Sequence, residues 1–288
     1  MYFCSEKNET TIEMVLSEAE NAALRQRFAP EGSSLRRQQE RMLEMMVWLD
    51  DVCRRHSIPY WLGSGTLLGA VRHGGFIPWD DDVDIEFLRE DYPRLLEVLA
   101  QETVGSGYAL QTHDTDPGYF FTYAKLRDCR SRLQEETGYD RIFSYQGVYI
   151  DLFVLEKMPA VLHWLSNRSF GIIYKVLKNP EYNTQQLIRK TGSIYRFNQR
   201  FVFPVMRFLS RLSSSTLLHY SPGIPFESAR EPKELFPLST VTFEGHRFSA
   251  PHNPEAYLRR MYGDWQRIPS LDKIQTHVAE LRIDKLTG

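Results

Sequence analysis

GSGTLLGAVRHGGFIPWDDDVDIE, residues 63–86, is the most informative segment of this sequence for the fold. At its start, Gly63, Ser64 and Gly65 separate a short apolar segment, PYWLG (59–63), from a segment with helical character. Glycine allows a tight backbone turn, and the first turn of a helix presents N–H groups that favour a phosphate. We therefore expect these three residues to form a phosphate-binding turn, with the Ser64 hydroxyl as an additional donor. The tripeptide alone is weak support, because ordinary loops contain it too.

The other end of the stretch is a row of acidic residues. If DDVDIEFL (81–88) forms a β-strand, side chains alternate between its faces, so the acidic residues share one face and the apolar residues share the other. The acidic set is Asp80, Asp82, Asp84 and Glu86. Like charges two residues apart repel each other unless a cation lies between them, and Mg²⁺ is a cation that prefers oxygen ligands. The alternative is a solvated acidic loop before an edge strand.

A further carboxylate lies in the strongest strand pattern of the chain, GVYIDLFVL (147–155). Asp151 has apolar neighbours on both sides, and a buried carboxylate requires a metal, a basic partner or a proton. If this strand lies beside the one that carries Asp82 and Asp84, the three acids can surround one or two metal ions. Asp151 can then accept the proton of an attacking hydroxyl. The alternative is a structural ion pair with Lys125 or Arg127.

Four basic residues accompany these acids in the sequence. Arg72 and His73 end the helical segment just before Gly74-Gly75, and Lys125 and Arg127 alternate to one face of a predicted strand. A guanidinium offers a planar pair of donors that suits diphosphate oxygens. We expect these four residues to bind the phosphates of a donor substrate. They are equally suited to act as counterions of the aspartates, and a lone histidine is more often structural than catalytic.

The segment 189–211 has a different character. Between Tyr182 and Phe226 the sequence contains no acidic residue, while six basic residues alternate with aromatic and aliphatic ones. The basic residues are Arg189, Lys190, Arg196, Arg200, Arg207 and Arg211. Such a pattern is typical of a helix that lies on an anionic membrane surface. It is equally typical of a helix pair that packs against a core and exposes a solvated basic face.

Bulk composition limits the classes of function. The chain has 288 residues, 42% of them hydrophobic and 25% charged, with a formal net charge of −2. This balance predicts a globular protein with no general attraction to nucleic acid. The three cysteines, Cys4, Cys53 and Cys129, have no CxxC spacing, which argues against a disulfide framework and for a reducing compartment. Neither a secretory signal nor a run long enough to span a bilayer is visible. We expect a cytoplasmic protein, in which the segment 189–211 could contact the inner face of the membrane.

Residues 63–86 together with three later segments resemble the signature of the LicD family, which includes bacterial phosphocholine transferases and resembles the fukutin-related phosphotransferases. The three segments are YAKLRD (123–128), GVYIDLFVL (147–155) and FEGHRFSAPHNPEAYLRRMYGDW (243–265). The resemblance implies a nucleotidyltransferase fold in which Gly63 and Ser64 hold the donor phosphate. It also implies that Asp82 and Asp84 bind Mg²⁺, with Mn²⁺ as an alternative, and that Asp151 is the third carboxylate and the base.

The fold implied is of the α+β class, a nucleotidyltransferase-like mixed sheet flanked by helices, with a helical accessory region. We predict an N-terminal arm (1–33), a catalytic core (34–158), the helical accessory region (159–235) and a C-terminal segment (236–288) that completes the catalytic domain. Within it we expect a hairpin around Glu244-Gly245, a helix near 254–262 and a final polar helix.

The resemblance also implies a reaction. A phospho-alcohol group, such as phosphocholine or ribitol phosphate, is transferred from a CDP-alcohol to a glycan or lipid-linked glycan of the cell surface, for example a lipopolysaccharide or capsule precursor, and CMP is released. Two alternatives stay open. One is nucleotidyl transfer from an NTP to a small hydroxyl or amine acceptor, and the other is a catalytically silent glycan-binding protein of the same fold.

Overall fold

A computed structural model describes residues 16–135, 138–226, 229–271 and 278–283. The α-helices in these ranges are α1 (Glu18–Phe28), α2 (Ser34–Arg55), α3 (Ser64–His73), α4 (Tyr92–Glu102), α5 (Ala160–Leu177), α6 (Thr184–Phe197), α7 (Phe203–Arg211), α8 (Pro232–Leu235) and α9 (Pro254–Tyr262). The strands are β1 (Trp61–Leu62), β2 (Asp84–Leu88), β3 (Tyr108–Gln111), β4 (Ala124–Asp128), β5 (Ser131–Glu135), β6 (Tyr149–Lys157), β7 (Leu218–Tyr220), β8 (Ser239–Phe243), β9 (His246–Ala250) and β10 (Val278–Ile283).

A six-stranded sheet forms the centre of the described structure. Its order is β1-β2-β6-β4-β3, and β7 pairs with the C-terminal end of β6. The β2–β6 pair is parallel, and the other pairs of this sheet are antiparallel. The sheet is therefore mixed, and together with the surrounding helices it confirms the predicted α+β class. Two smaller sheets, β8–β9 and β5–β10, lie outside it.

Helix α2 forms where the amphipathic pattern predicts it. The Ser33 hydroxyl accepts the Arg36 N–H at 3.1 Å and caps the first turn. Met42, Met46 and Leu49 recur at helical spacing and are buried in the main core. The apolar stripe thus fixes which face of the helix packs inward.

Strand β6 is the central strand of the sheet, between β2 and β4. Ile150, Leu152 and Val154 are fully buried, as expected for the most apolar strand pattern in the sequence. Asp151 alternates with them and is also buried. Its side chain therefore lies on the opposite face of the sheet from these three aliphatic residues.

Helices α5 and α6 pack on a second apolar cluster, whose residues come from segments before and after β6 in the sequence. Its buried members are Tyr119, Phe120, Ile142, Phe143, Phe170, Ile173, Leu177 and Leu187. The helix-rich character predicted for residues 159–235 is confirmed, but Leu218–Tyr220 is a strand of the main sheet rather than a helix.

Among the described residues, no helix combines the length and the apolar composition that crossing a bilayer requires. The predicted domain boundaries stay a prediction.

Three further expectations about local structure were wrong in part. Strand β2 begins at Asp84, so residues 81–83 precede it, and the strand predicted over residues 119–127 begins only at Ala124. Residues 278–283, within the predicted polar helix, form β10, which pairs with β5. The hairpin is confirmed: Glu244 and Gly245 form its turn with φ of 47° and 79°, a conformation that favours glycine.

Candidate active site

Three strands bring two acids and one base into a single row. Asp84 on β2 is the register partner of Asp151 on β6, and Asp151 is the register partner of Lys125 on β4. Register partners on neighbouring strands project from the same face of the sheet. The Lys125 ammonium lies 2.8 Å from Oδ1 of Asp151. Asp151 therefore stands between a carboxylate on one side and a cation on the other.

The acids that precede β2 reach the same region from a loop. Carboxylate oxygens of Asp80, Asp81 and Asp82 lie within 4.8 Å of one another. The predicted alternation along a strand does not apply to them, because the strand has not yet begun. The loop is instead fixed by two buried side chains of α2: the Gln38 amide donates to the Asp81 carbonyl at 2.6 Å, and the Gln39 amide donates to the Asp80 carbonyl at 2.9 Å.

The acids repel one another strongly. Burial raises the pKa of Asp84 well above its usual value, and the charges of Asp82 and Asp151 raise it further. Burial also raises the pKa of Asp80, to which Asp82 and Asp81 add, while Arg72 opposes the shift. Desolvation and the neighbouring carboxylates therefore both disfavour the charged form of these two acids.

The donor set fits a hard divalent cation. Asp80, Asp82, Asp84 and Asp151 offer carboxylate oxygens, which Mg²⁺ and Mn²⁺ prefer. A cation among them would also remove the repulsion that raises the pKa of Asp84 and Asp80. Two acid sets compete for this role. The set predicted from the sequence is Asp82, Asp84 and Asp151, whereas the most compact set in the described chain is Asp80, Asp81 and Asp82.

The turn at Gly63 and Ser64 joins β1 to α3 beside β2. The Gly63 N–H donates to the Asp84 carbonyl at 3.0 Å, and a Cβ on Gly63 would lie 2.6 Å from Cγ of Glu86, so only glycine fits. Ser64 has φ of 42°, a conformation that costs a non-glycine residue energy and that persists where neighbours hold it. A Cβ on Gly65 would lie 3.1 Å from Oδ2 of Asp80. The start of α3 therefore already faces a carboxylate.

The hydrogen-bonding groups of Ser64 are engaged within the protein, which differs from their expected role as phosphate donors. The Ser64 N–H donates to the Tyr257 hydroxyl at 3.0 Å, and the Ser64 hydroxyl lies 3.0 Å from the Tyr220 hydroxyl. Both tyrosine hydroxyls donate to Oε1 of Glu86 at 2.9 Å. The turn is thus held by two tyrosines from distant parts of the chain.

Glu86 is the centre of this arrangement, and the sequence did not predict its role. It is fully buried, accepts the Trp61 indole N–H at 2.7 Å and forms an ion pair with the buried Arg230. Arg230 also donates to the Tyr220 hydroxyl at 2.9 Å and stacks on that ring. Alternation along β2 put Glu86 among the acids, but no local signal connects it with an arginine 144 residues away.

Arg72 and His73 are buried at the end of α3. The Arg72 guanidinium donates to the Trp265 carbonyl at 2.9 Å and to His73 Nε2 at 2.9 Å. His73 Nδ1 lies 2.7 Å from the Asn21 side-chain oxygen. These contacts attach α1 and the segment around Trp265 to α3. Arg72 also acts electrostatically on Asp80, so it lies close enough to influence the acids.

Lys125 and Arg127 share one face of β4, as predicted, but have different surroundings. Both lie over the Tyr149 ring, with Lys125 Nζ 3.3 Å and Arg127 Cζ 4.4 Å from its centroid. Arg127 is buried and donates to Gln111 Oε1 at 2.7 Å and to the Gly147 carbonyl at 2.8 Å. Lys125 therefore lies beside the acids Asp80, Asp82, Asp84 and Asp151, which we call the acid row. Arg127 instead connects the neighbouring strands through its hydrogen bonds.

The end of α9 reaches the acids. The Tyr262 side chain is 43% exposed, and its hydroxyl pKa is raised by burial and by the charges of Asp84 and Asp80. Its position next to the carboxylates gives the site a partly exposed aromatic ring. No sequence pattern distinguishes Tyr262, because tyrosine is common in the chain, with 15 residues.

Comparison with known proteins gives two kinds of match. A family model described as LicD/FKTN/FKRP, nucleotidyltransferase domain, matches residues 57–210, more than half of the chain. The lipopolysaccharide cholinephosphotransferase LicD of Haemophilus influenzae is 29% identical over 255 residues, which cover 85% of this chain and 96% of that protein. The ribitol 5-phosphate transferase FKRP of Homo sapiens is 59% identical over 34 residues, which cover 12% of this chain and 7% of that protein.

Proposed function

The chain belongs to the LicD family, and from this we propose that it is a transferase that moves a phospho-alcohol group from a CDP-alcohol to a hydroxyl of a glycan precursor, releasing CMP. The activities of two relatives, cholinephosphate transfer to lipopolysaccharide and ribitol 5-phosphate transfer, support transfer of a phospho-alcohol group to a glycan. The match to the first relative over most of both chains favours phosphocholine as the group transferred.

The observation that carries the proposal is the crowding of carboxylates around Asp84. Desolvation raises the pKa of Asp84, and the charges of Asp82 and Asp151 raise it further. These three residues, with Asp80 as a further donor, would hold Mg²⁺ or Mn²⁺. The bound cation would supply positive charge to the diphosphate of the donor and to the charge that develops during transfer.

The chain's own side chains then account for the rest of the reaction. The oxygen of the acceptor hydroxyl attacks the phosphorus that carries the alcohol, and a new P–O bond forms as the P–O bond to CMP breaks. The proton of that hydroxyl passes to the carboxylate of Asp151, whose position beside Lys125 keeps it oriented. The CMP phosphate leaves with the electron pair of the broken bond.

Two neighbouring groups would position the substrates. Lys125, whose ammonium lies 2.8 Å from Oδ1 of Asp151, adds a positive charge beside the acids that would attract an anionic donor. Tyr262 presents a partly exposed ring beside the same acids, on which a base or a sugar ring can stack. Arg72 and His73 act indirectly in this scheme, by attaching the segment around Trp265 to α3.

The proposal is tested with purified protein, a panel of CDP-alcohols that includes CDP-choline and CDP-ribitol, Mg²⁺, and a lipopolysaccharide acceptor. We expect release of CMP and a matching mass increase of the acceptor, both abolished by chelation and by Asp151→Asn. Asp114→Asn, which changes an exposed aspartate outside the acid row, serves as the control and should retain activity.

The alternatives have distinct products. Release of pyrophosphate from an NTP, with no CMP from any CDP-alcohol, would replace the proposal by nucleotidyl transfer. Calorimetry that detects glycan binding but neither Mg²⁺ nor CDP-alcohol binding would replace it by a catalytically silent glycan-binding protein.

A further inference from the structure

Charge is distributed unevenly along the chain. Residues 157–226 contain ten basic residues and one acidic residue, Glu181. The remainder of the chain contains 25 basic and 36 acidic residues. The strongly basic part coincides with the helices α5, α6 and α7, which lie outside the acid row of the candidate active site. A positive surface of this kind attracts an anionic partner.

The rod formed by α6, a π-helical turn (Asn198–Val202) and α7 exposes apolar residues where solvent-facing helices expose polar ones. Phe197, Phe201 and Phe208 are 57%, 59% and 60% exposed, and Val205 and Leu212 continue the same row at spacings of three or four residues. By contrast, the buried positions of this rod include polar residues, namely Thr191, Asn198 and Ser210. Because Leu187 and Phe203 are buried in the same rod, apolar residues lie on both its inner and its outer side, unlike in the usual surface helix.

The basic residues of the rod lie beside this apolar row. Arg196, Arg200 and Arg211 each precede an exposed apolar residue, and all three are exposed. Within the part of the chain that the structure describes, neither Arg200 nor Arg211 forms an ion pair. Arg207 differs from them, because it turns inward and donates to the Glu156 carboxylate at 3.0 Å. The rod therefore combines exposed aromatic rings with guanidinium groups that have no acidic partner.

The neighbouring helix α5 has the same character. It contains no acidic residue, and Trp164, Leu165 and Ile172 are exposed on it. The Arg168 guanidinium lies over the Trp164 ring at 4.3 Å from its centroid. Because α5 packs against α6 and α7, two adjacent helices share this composition. Helices α5 and α6 do pack on an apolar cluster, as the alternative of a core-packing helix pair expects, but a second set of their apolar side chains lies in solvent.

We propose that the row Phe197, Phe201, Val205, Phe208 and Leu212, with Arg196, Arg200 and Arg211 beside it, docks on the surface of an anionic lipid bilayer. We call it the basic aromatic face. Aromatic and aliphatic side chains enter the boundary between headgroups and acyl chains, while guanidinium groups bind lipid phosphates at the same depth. Each arginine near an anionic leaflet adds attraction that fades with salt. A protein partner would more often offer acidic side chains to a few fixed arginines, whereas this face spreads both features along the rod.

Vesicle co-sedimentation tests this surface without reference to any reaction. The wild-type chain is incubated with vesicles of phosphatidylglycerol and phosphatidylcholine, or of phosphatidylcholine alone, at low and high salt. We expect binding to the anionic vesicles that weakens with salt. Phe197→Ser/Phe201→Ser/Phe208→Ser should weaken it about 100-fold or more, and Arg196→Gln/Arg200→Gln/Arg211→Gln about 100-fold.

Matched controls remove the same groups elsewhere. Arg37→Gln/Arg132→Gln/Arg259→Gln removes three exposed arginines outside α5–α7, and Val104→Ser removes an exposed aliphatic side chain that is 80% exposed. Both controls should bind like the wild type, and thermal unfolding should show that every variant is folded. Equal loss in the controls, or no binding of the wild type to anionic vesicles, overturns the proposal. A wild-type dimer in analytical ultracentrifugation that Phe197→Ser/Phe201→Ser/Phe208→Ser converts to a monomer, without vesicle binding, would assign the face to self-association instead.

Discussion

The unfavourable electrostatic interactions of the site are concentrated at Asp84. Its side chain is half-buried, and desolvation together with the charges of Asp82, Asp151 and Asp80 raises its pKa. A carboxylate in this environment opposes folding, whereas the same negative charge would favour the binding of a cation. Asp81, in the adjoining loop, belongs to the competing acid set. Substitution of these two residues therefore separates the two assignments.

We expect Asp84→Asn to lower the rate of phospho-alcohol transfer about 1,000-fold, because a carboxylate in contact with the cation stabilises developing charge by several kcal/mol. Asp81→Asn should lower the rate less than about tenfold. Steady-state release of CMP at saturating Mg²⁺ measures both. If Asp81→Asn were the more damaging change, the cation would belong to Asp80, Asp81 and Asp82 instead.

His73 makes a separate prediction about stability. Burial lowers its pKa to about 3, and the positive charges of Arg72 and Arg25 contribute. In the unfolded chain the pKa of histidine is about 6.5, so between these values the unfolded state binds a proton that the folded state does not. The folded state is then stabilised above pH 6.5, and this stability is lost as the pH falls toward 3.

We expect His73→Gln to flatten the dependence of the free energy of unfolding on pH between about pH 6.5 and 4, by a few kcal/mol. Urea unfolding at several pH values measures this slope. The exposed His252 provides the control, because His252→Gln should leave the slope of the wild type unchanged. An unchanged slope in His73→Gln would mean that other groups control the acid sensitivity.

At this scale the sequence predicts what depends on alternation and misses what depends on distant contacts. Asp84 and Asp151 lie side by side because they are register partners on neighbouring strands and therefore project from the same face of the sheet. Arg72 and His73 are predicted to bind phosphates because they precede the acids in sequence, and this role stays a prediction. Their partners, Trp265 and Asn21, come from the opposite ends of the chain, and no local pattern reports such contacts.

At the scale of elements, the Glu86 cluster joins parts of the chain that are remote in sequence. Glu86 lies on β2, Tyr220 on β7 and Tyr257 on α9, and Arg230 precedes α8. Together they support Ser64 at the start of α3. A buried ion pair contributes little relative to an apolar replacement, but removal of one partner leaves an uncompensated charge. The cluster therefore predicts a non-additive response to mutation.

We expect Arg230→Met to lower the free energy of unfolding by about 3–5 kcal/mol, and Glu86→Met/Arg230→Met to cost clearly less than the two single changes added together. Urea unfolding of the four proteins of this cycle measures the coupling. The exposed Arg55–Glu102 pair is the comparison, and Arg55→Met should lower the free energy of unfolding much less than Arg230→Met does. Additive losses at Glu86 and Arg230 would mean that the two side chains are not coupled.

The ends of some elements cannot be predicted from the local sequence pattern. Strand β2 starts only at Asp84, because Thr66 Oγ1 accepts the Asp84 N–H at 2.8 Å and Gln38 and Gln39 hold the preceding loop. Thr66 lies on α3, and Gln38 and Gln39 lie on α2. The local pattern does not report these contacts, and it therefore predicts a strand at Asp81 and Asp82 that the chain does not form there. Strand β7 was hidden in an apolar helix-like stretch, since three residues are too few to show a period.

At the scale of the whole molecule, opposite charges are separated. The acid row is built from β2, β6 and the loop before β2, whereas the basic residues concentrate in α5, α6 and α7. The net charge of −2 conceals this separation, and only the order of the residues reveals it. The separation suits a protein that must attract a cation and an anionic partner at different places. Composition alone therefore excluded a general polyanion binder but could not exclude a local one.

The acid row also predicts how a cation affects the stability of the whole chain. A cation that binds only the folded state adds about 2.7 kcal/mol when its concentration is 100 times its Kd, which corresponds to a rise in Tm of about 5 °C for a chain of this size. Mg²⁺ should therefore raise the Tm of the wild type, and an equal ionic strength of NaCl should not. Asp84→Asn should abolish the rise and, in chelator, melt above the wild type, because it removes a carboxylate that folding buries among like charges. Differential scanning calorimetry measures both shifts, with Asp114→Asn as the control that behaves like the wild type. Should Asp84→Asn melt below the wild type in chelator, the repulsion inferred for this cluster would be absent, and the carboxylate would instead stabilise the fold.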